Sequence, residues 1–206
     1  MSDLGHAHPP LPQVRAIIQR ALDEDIGGGD VTTDNSVPAD QWSRAVLLAK
    51  QDGMLCGGHV FTETLTMVNP SVQVELLVPD GAALSKGNVA ARIEGPTRAL
   101  LTGERTALNF LQRLSGIATT TAAFAARLRD LPTTLIDTRK TTPGLRLLEK
   151  YAVRVGGGHN HRFNLADAVL LKDNHLAALR SRGLDVADAI RTIKQRVPHT
   201  MKVEVE

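Results

Sequence analysis

The sequence predicts an α/β protein in which a small α+β domain, residues 1–130, precedes the first part of a parallel α/β barrel, residues 131–206. Three observations support this prediction. Short apolar segments with period-two alternation fill much of the first half, which is typical of antiparallel strands. From residue 133 onward, strand-like and helical segments alternate with short connections, which is typical of βαβ units. Two apolar segments of the second half also end abruptly in charged residues, as barrel strands do where they form a site.

The first domain begins with a predicted helix over residues 11–26, because apolar residues recur there at helical spacing until Gly27-Gly28-Gly29. The following segments read as strands with turns at Asp52-Gly53 and Asp80-Gly81. The predicted elements are strands within 43–58, a helix within 59–68, and strands within 72–84 and 88–96. Together they predict a largely antiparallel sheet.

A long helical region is predicted from Thr97 to about Asp130. One face of it carries apolar residues at spacings of four, three and four: Ala107, Leu111, Leu114 and Ala118. The opposite face follows the same spacing with Arg105, Asn109, Gln112 and Gly116. The pair Ser115-Gly116 predicts a break or kink in the helix.

The second domain is predicted to alternate strand and helix. Its elements are strands at 133–137, 167–172 and 201–206, and helices at 145–155 and 186–197. The chain therefore ends within its third predicted parallel strand, whereas a closed barrel needs about eight. We expect a partial barrel of about three strands, with Glu204 open to solvent.

Composition excludes several classes of function. The net charge is only +2 and aromatic residues make up 3% of the chain, so we expect no nucleic-acid partner. Cys56 is the only cysteine, so no intrachain disulfide forms and a cytoplasmic location is expected. The opening MSDLGHAHPP lacks the apolar region of a secretory leader, and no long uncharged apolar run predicts a membrane span.

Residues 137–175 hold seven Lys or Arg and three His, grouped at the ends of apolar segments. Converging cations predict an anionic small molecule as ligand. In the segment Asp137–Thr142, Arg139 offers a planar fork for a carboxylate, Lys140 a point charge and Thr138 a hydroxyl. The alternative is a solvated loop before a helix, and the residues alone leave the two interpretations about even.

Three glycines, 156–158, lead into His159, His161 and Arg162. Glycines permit close approach of the backbone to a ligand, and the cations favour an anion. The alternative is a helix end followed by surface histidines. A zinc site is disfavoured here, because no cysteine or third spaced histidine accompanies the pair.

Four further charged residues have two interpretations each. Lys172 ends an apolar strand, where a lysine is costly unless it is functional or paired with Asp173. Glu204 and Glu206 share one face of the last strand. They are candidates for Mg²⁺–phosphate coordination or for stabilising a developing positive charge, or else they form a solvated acidic edge. Arg105 is a candidate site residue or an ordinary surface cation of a helix.

In this order, the segments EDIGGGDVTT (24–33), DGMLCGG (52–58), ERTALNFLQRLSGIAT (104–119), 137–175 and VEVE (203–206) resemble the quinolinate phosphoribosyltransferase family over essentially the whole chain. The block DTRKT…GGG.NHR…KDNH is the most specific part. The resemblance implies an N-terminal open-faced sandwich followed by a TIM-like barrel, here truncated. It also implies a homodimer in which the sandwich of one subunit closes the barrel mouth of the other.

The reaction implied by the resemblance joins quinolinate to phosphoribosyl pyrophosphate (PRPP) and gives nicotinate mononucleotide, pyrophosphate and CO₂ in NAD biosynthesis. Mg²⁺ accompanies PRPP, and no organic cofactor is implied. By position, the quinolinate-binding residues are Arg139, His161, Arg162 and Lys172. Thr138 and Lys140 line the site, with Lys140 in a catalytic role, and Arg105 is donated across the dimer. Glu204 matches the carboxylate near the ribose and the metal.

Two alternatives stay open at this point. One is a molybdenum-locus relative of the same fold, against which the set Arg139, His161, Arg162 and Lys172 argues. The other is a non-catalytic fragment that binds anions or dimerises. Family chains continue through further strands that carry a second acidic residue and glycine-rich phosphate loops, so we expect the 206 residues alone to be inactive.

Overall fold

The structure, a computed structural model, describes residues 7–206, and its chain divides into two units between Asn160 and His161. The first six residues, which form part of the segment in which no leader is expected, lie outside the described residues. No helix within 7–206 is both long enough and apolar enough to cross a membrane. The predicted domain boundary between residues 130 and 131 stays a prediction.

Two helices open the first unit. Helix α1 (Leu11–Ile26) follows Pro10 and ends where Gly27 takes a φ of 52°, a conformation that favours glycine, and it confirms the predicted helix. Helix α2 (Val31–Ser36) was not predicted. It is short, and the side chain of Asp30 caps it by accepting a hydrogen bond of 2.9 Å from the Thr33 amide.

The sheet of the first unit is antiparallel, as predicted. Strands β1 (Trp42–Leu48), β3 (Gln73–Leu76) and β5 (Val89–Pro96) pair in the order β1–β5–β3. Two short strands, β2 (Gly53–Met54) and β4 (Ala83–Leu84), form a separate antiparallel pair. Thus β1 and β2, which are consecutive in sequence, belong to different sheets.

Helices cover one face of the three-stranded sheet. Ala91 and Ile93 of β5 pack in one cluster with Phe61 of helix α3 (Gly58–Val68) and Leu111 of helix α4 (Thr97–Arg127). Arg44, Val46 and Arg92 stay exposed. This arrangement agrees with the sandwich open on one face that the resemblance implied.

Helix α4 is a single helix of 31 residues, so the predicted break at Ser115-Gly116 is wrong. The predicted apolar face is buried and the four predicted polar-face residues are exposed. At the expected break, the Ser115 hydroxyl accepts from the Cys56 amide at 3.0 Å and donates to the Cys56 carbonyl at 3.2 Å. These contacts and the buried Leu114 outweigh the modest cost of a glycine inside a helix.

Helix α5 (Arg146–Val155) confirms the helix predicted at 145–155 and packs on α4. Leu148 and Tyr151 of α5 belong to a core that they share with α1, α3 and α4. The predicted strand at 133–137 is wrong: Ile136 makes one isolated parallel bridge with His159. Ile136 remains 52% exposed, and no further strand lies against this segment among the described residues. A lone extended segment lacks the ladder of hydrogen bonds that defines a strand.

The second unit is a small βααβ layer. Strands β6 (Val169–Leu171) and β7 (Val203–Val205) pair in parallel, with Leu170 opposite Glu204. The helices between them are α6 (Asp173–Arg180), which was not predicted, and α7 (Val186–Arg196), which was. The predicted three-strand parallel sheet is therefore a two-strand sheet, packed on its helices through Leu171, Leu176 and Ala189.

Two glycines of the first unit predict opposite effects of the same substitution. A Cβ on Gly116 meets nothing within 4 Å, so Gly116→Ala should raise the free energy of unfolding by about 0.5–1 kcal/mol. A Cβ on Gly156 would lie 2.5 Å from the Ala118 carbonyl oxygen and 2.6 Å from Thr121 Cβ, so Gly156→Ala should lower it. Urea unfolding of both variants measures the difference, and equal effects would contradict the close packing of α5 on α4.

Candidate active site

A buried ion pair anchors the cationic segment 137–142 in the first unit. Lys150 of α5 is paired with Asp137, and their side chains are only 4% and 8% exposed. The side-chain amide nitrogen of Asn160, Nδ2, donates to Asp137 Oδ2 at 2.7 Å and to the Lys150 carbonyl at 2.9 Å. A buried charge pair needs such additional hydrogen bonds to offset desolvation. The start of segment 137–142 is therefore fixed to the helix and to the end of the glycine loop.

Beyond this anchor the chain presents three residues of the predicted site. Thr138 and Lys140 are exposed, and the Thr138 hydroxyl accepts from the Lys140 amide at 3.0 Å, which forms a tight turn. Arg139 lies between them with its Nε atom buried and without a hydrogen-bond partner within residues 7–206. A buried guanidinium nitrogen without a partner is uncommon and costly, and an anionic ligand would satisfy it.

The far end of the segment is held by Glu149. Its carboxylate accepts from Arg113 Nε at 2.8 Å and from the Thr142 amide at 3.1 Å. Burial raises the pKa of Glu149, but the Arg113 guanidinium and the Thr142 contacts outweigh burial and hold it below its ordinary value. Both ends of segment 137–142 are thus fixed to α5 by side-chain contacts.

The glycines of 156–158 serve packing in this unit. Gly157 has a φ of 87°, and Cβ atoms on Gly156 and Gly158 would come within 3.0 Å of Thr121 on α4. The structure accordingly gives these two glycines a role in helix contact, whereas the sequence suggested approach to a ligand. The glycine turn then carries the chain to Asn160, the partner of Asp137.

In the second unit, His161 meets the carboxylate of the last strand. Its Nε2 lies 2.7 Å from Glu204 Oε2, and the Lys202 ammonium lies 2.6 Å from Glu204 Oε1. The Glu204 side chain is 25% exposed, so the expectation of an open, solvent-exposed carboxylate is wrong, because these two neighbours cover it. Lys202 first, and then His161, hold the pKa of Glu204 below its ordinary value, so it is an anion at neutral pH.

Two other cations of the second unit, Arg162 and Lys172, have partners within that unit. Arg162 donates to the Ala168 carbonyl at 2.9 Å and is half-buried. Lys172 follows β6 and pairs with Glu206 at 2.5 Å, not with Asp173. The two side chains of this pair are 48% and 63% exposed, and a pair so exposed is weak and easily exchanged for a ligand carboxylate or phosphate.

In the first unit, Arg105 lies on the exposed face of α4. No hydrogen bond or ion pair to its guanidinium is found within residues 7–206. The structure therefore brings Thr138, Arg139 and Lys140 together in one unit and His161 and Glu204 together in the other.

Sequence reasoning did not identify the residues that hold the segment, which are Asp137, Lys150, Asn160, Arg113 and Glu149. A signal for two of them was present. Glu149 and Lys150 lie beside Leu148, Tyr151 and Ala152 in a helix whose apolar residues are buried, and charges buried there require partners. The fold and these two groups define the class: an α/β protein with cationic side chains clustered at strand and loop ends.

Comparison with known proteins specifies that class. The model of the quinolinate phosphoribosyl transferase N-terminal domain matches residues 30–115, and that of the C-terminal domain matches residues 117–206. The structure is similar to the crystal structure of NadC from Streptococcus pyogenes, with a TM-score of 0.90 and 43% identity, over 97% of this chain and 69% of that one. The chain belongs to the quinolinate phosphoribosyl transferase family.

Two curated relatives agree with this. One is the Bacillus subtilis protein named "Probable nicotinate-nucleotide pyrophosphorylase (carboxylating)", 44% identical over 94% of this chain. The other is "Quinolinate phosphoribosyltransferase (decarboxylating) 1b" of Nicotiana tabacum, 41% identical over 97% of this chain. The chain spans 65% and 56% of their lengths. The predicted family and fold class are confirmed, and the molybdenum-locus alternative is not favoured.

The Lys150–Asp137 pair predicts a measurable coupling. Lys150→Met leaves the Asp137 carboxylate buried with its main charge partner removed, so it should lower the free energy of unfolding by about 3–5 kcal/mol. The double variant Lys150→Met/Asp137→Leu removes both charges and should cost clearly less than the sum of the two single changes. Urea unfolding of the four proteins completes the cycle, and additive losses would show that the pair is not coupled.

Proposed function

We propose that this protein contributes to the transfer of the phosphoribosyl group from PRPP to quinolinate, with decarboxylation to nicotinate mononucleotide. Support comes from membership of the family together with one observation in this chain. Within residues 7–206, the buried Nε of Arg139 has no hydrogen-bond partner, and Arg139 lies beside Lys140 in an anchored segment. Quinolinate is a dianion, and several fixed cations are the means to desolvate and orient it.

Each residue has a defined part in this proposal. Arg139 and Arg162 bind the carboxylates of quinolinate as planar forks, and Lys172 and His161 add charge. Thr138 lines the site, and Lys140 provides the catalytic cation close to the reacting ring.

The chemistry follows from the charges. The ring nitrogen attacks the anomeric carbon of the ribose as pyrophosphate leaves, and the ionised Glu204 stabilises the positive charge that develops on the sugar. The ribosylated ring nitrogen is cationic, so it accepts the electron pair left behind when the adjacent carboxylate departs as CO₂. A proton then replaces the carboxylate on the ring carbon.

Mg²⁺ is the metal ion implied by the family. The donors present fit an ion that arrives on the phosphates of PRPP, because Mg²⁺ is commonly held by one or two carboxylates together with substrate phosphates. Glu204, partly exposed and ionised, is the carboxylate that would hold it. When bound, Mg²⁺ neutralises charge on the departing pyrophosphate.

Arg139→Ala tests the quinolinate assignment. In a full-length version of the protein, pyrophosphate release from quinolinate, PRPP and Mg²⁺ is followed, and quinolinate binding is measured in parallel by calorimetry. The variant should raise the KM for quinolinate and lose about 2–5 kcal/mol of binding, because a desolvated ionic partner is removed. The control Arg129→Ala removes an exposed arginine of the same unit and should change neither quantity.

Unchanged kinetics in Arg139→Ala would remove Arg139 from the site. In the full-length parent, binding of quinolinate without pyrophosphate release, under every condition tried, would favour the non-catalytic anion-binding alternative.

A homodimer that donates Arg105 across its interface is part of the same proposal. Arg105 is exposed and has no partner within residues 7–206, as a residue offered to a second subunit should be. Mixing full-length Arg105→Ala subunits with full-length Lys172→Ala subunits should then restore activity in heterodimers, since one of their two sites keeps both residues. The absence of any rescue on mixing would mean that the site is built within one chain.

A further inference from the structure

Two histidines and an aspartate of the first unit converge on one point. His8 precedes α1, His59 lies in the first turn of α3, and Asp80 lies between β3 and β4. One potential ligand atom from each residue lies within 4.8 Å of the others, and no other set of three such residues does so within 7–206. Three separate parts of the chain thus bring metal-binding side chains to one point.

Asp80 is held as an oriented anion. Its carboxylate accepts from the amides of Gly57 and Gly58 at 2.9 Å each and from the Tyr151 hydroxyl at 2.7 Å. Burial raises the pKa of Asp80, but the nearby His59 ring and these donors outweigh burial and hold it at about 2. A ligating carboxylate in a metal site is commonly fixed in this way by hydrogen bonds from its surroundings.

His59 has unused binding capacity. Both of its ring nitrogens are buried and have no hydrogen-bond partner within residues 7–206. Nδ1 lies 3.6 Å from Asp80 Oδ2, beyond hydrogen-bonding distance. The ring of His8 lies 4.3 Å away between centroids, so the two imidazoles are adjacent. Buried polar atoms of this kind ordinarily have a partner, and a metal ion would be one for an imidazole nitrogen.

The Tyr151 hydroxyl contacts both Asp80 and His8 and is not itself a metal ligand. The hydroxyl donates to Asp80 and lies 3.1 Å from His8 Nδ1. Burial first, and then the Asp80 carboxylate, raise the pKa of this phenol, so it stays protonated. It therefore acts as a hydrogen-bonding support next to two of the three ligands.

We propose that His8, His59 and Asp80 form a site for a divalent transition-metal ion of the zinc type, which fastens the segment before α1 to α3 and to the β3–β4 connection. Two imidazoles and one carboxylate suit Zn²⁺, whereas Mg²⁺ and Ca²⁺ prefer oxygen ligands alone. A tetrahedral ion with bonds of about 2.1 Å needs donors about 3.4 Å apart. The ligand atoms of the three residues lie within 4.8 Å of one another, so a ligand has to move closer for the ion to bind. His8 lies before α1 and is exposed, so His8 is the ligand that moves.

The test is zinc titration of metal-free protein by calorimetry, with Co²⁺ absorption to report coordination. We expect one ion per chain and a higher unfolding temperature with zinc. His59→Ala and His8→Ala should each weaken binding about tenfold or more, a loss at least as large as that from removing a supporting residue. His199→Ala, which removes an exposed histidine of the second unit, is the matched control and should bind like the parent.

The neighbouring sequence offers an alternative metal-binding pair. His6 and His8 are two residues apart and can chelate a metal by themselves. Binding that survives His59→Ala but is lost in His8→Ala would assign the ion to that pair and overturn the proposal, as would unchanged binding in both variants. If circular dichroism shows that His59→Ala does not fold, Tyr151→Phe is used in its place. Weakened zinc binding in both His8→Ala and Tyr151→Phe then supports the site, and unchanged binding in Tyr151→Phe counts against the site. The site does not depend on phosphoribosyl transfer, so turnover is not a readout.

Discussion

The pairing of Lys150 with Asp137 inside the first unit is the interaction on which the candidate active site depends. A lysine this buried is tolerated because a carboxylate neutralises it and Asn160 adds hydrogen bonds to both partners. Because Asp137 comes directly before Thr138, Arg139 and Lys140, the pair fixes where these residues begin. Removing either charge would lower the stability of the first unit and would also disturb the position of Arg139 and Lys140.

The cations differ in how firmly they are held, and the difference matches what a ligand site requires. The anchor is buried and costly to break, whereas Lys172 and Glu206 form an exposed pair of small net energy. Within the described residues, the Nε of Arg139 has no hydrogen-bond partner, and the guanidinium of Arg105 has no hydrogen bond or ion pair. Within the first unit, the buried anchor thus holds a segment whose Arg139 keeps a donor without a partner among residues 7–206.

Helix α4 connects the packing of the first unit to this support. Its buried face joins the sheet cluster through Ala107 and Leu111, and the helical core through Leu114 and Ala118. Gly156 and Gly158 then let the end of α5 lie against Thr121 with no room for a side chain. The position of α5, and with it of Lys150, follows from this close contact.

The sequence by itself determined the family, the antiparallel and parallel halves, and most helices, because apolar periodicity and motif residues are local signals. It also identified the cations of the site. Only the tertiary structure decided that α4 runs unbroken past Ser115-Gly116, since the bonds of Ser115 to Cys56 come from a distant segment. Likewise, residues 133–137 form one bridge because a strand exists only where a neighbour pairs with it. Lys150 pairs with Asp137 13 residues away, Glu204 contacts His161 43 residues away, and His59 lies near Asp80, which is 21 residues away. Long-range contacts of that kind follow from packing and leave no local pattern.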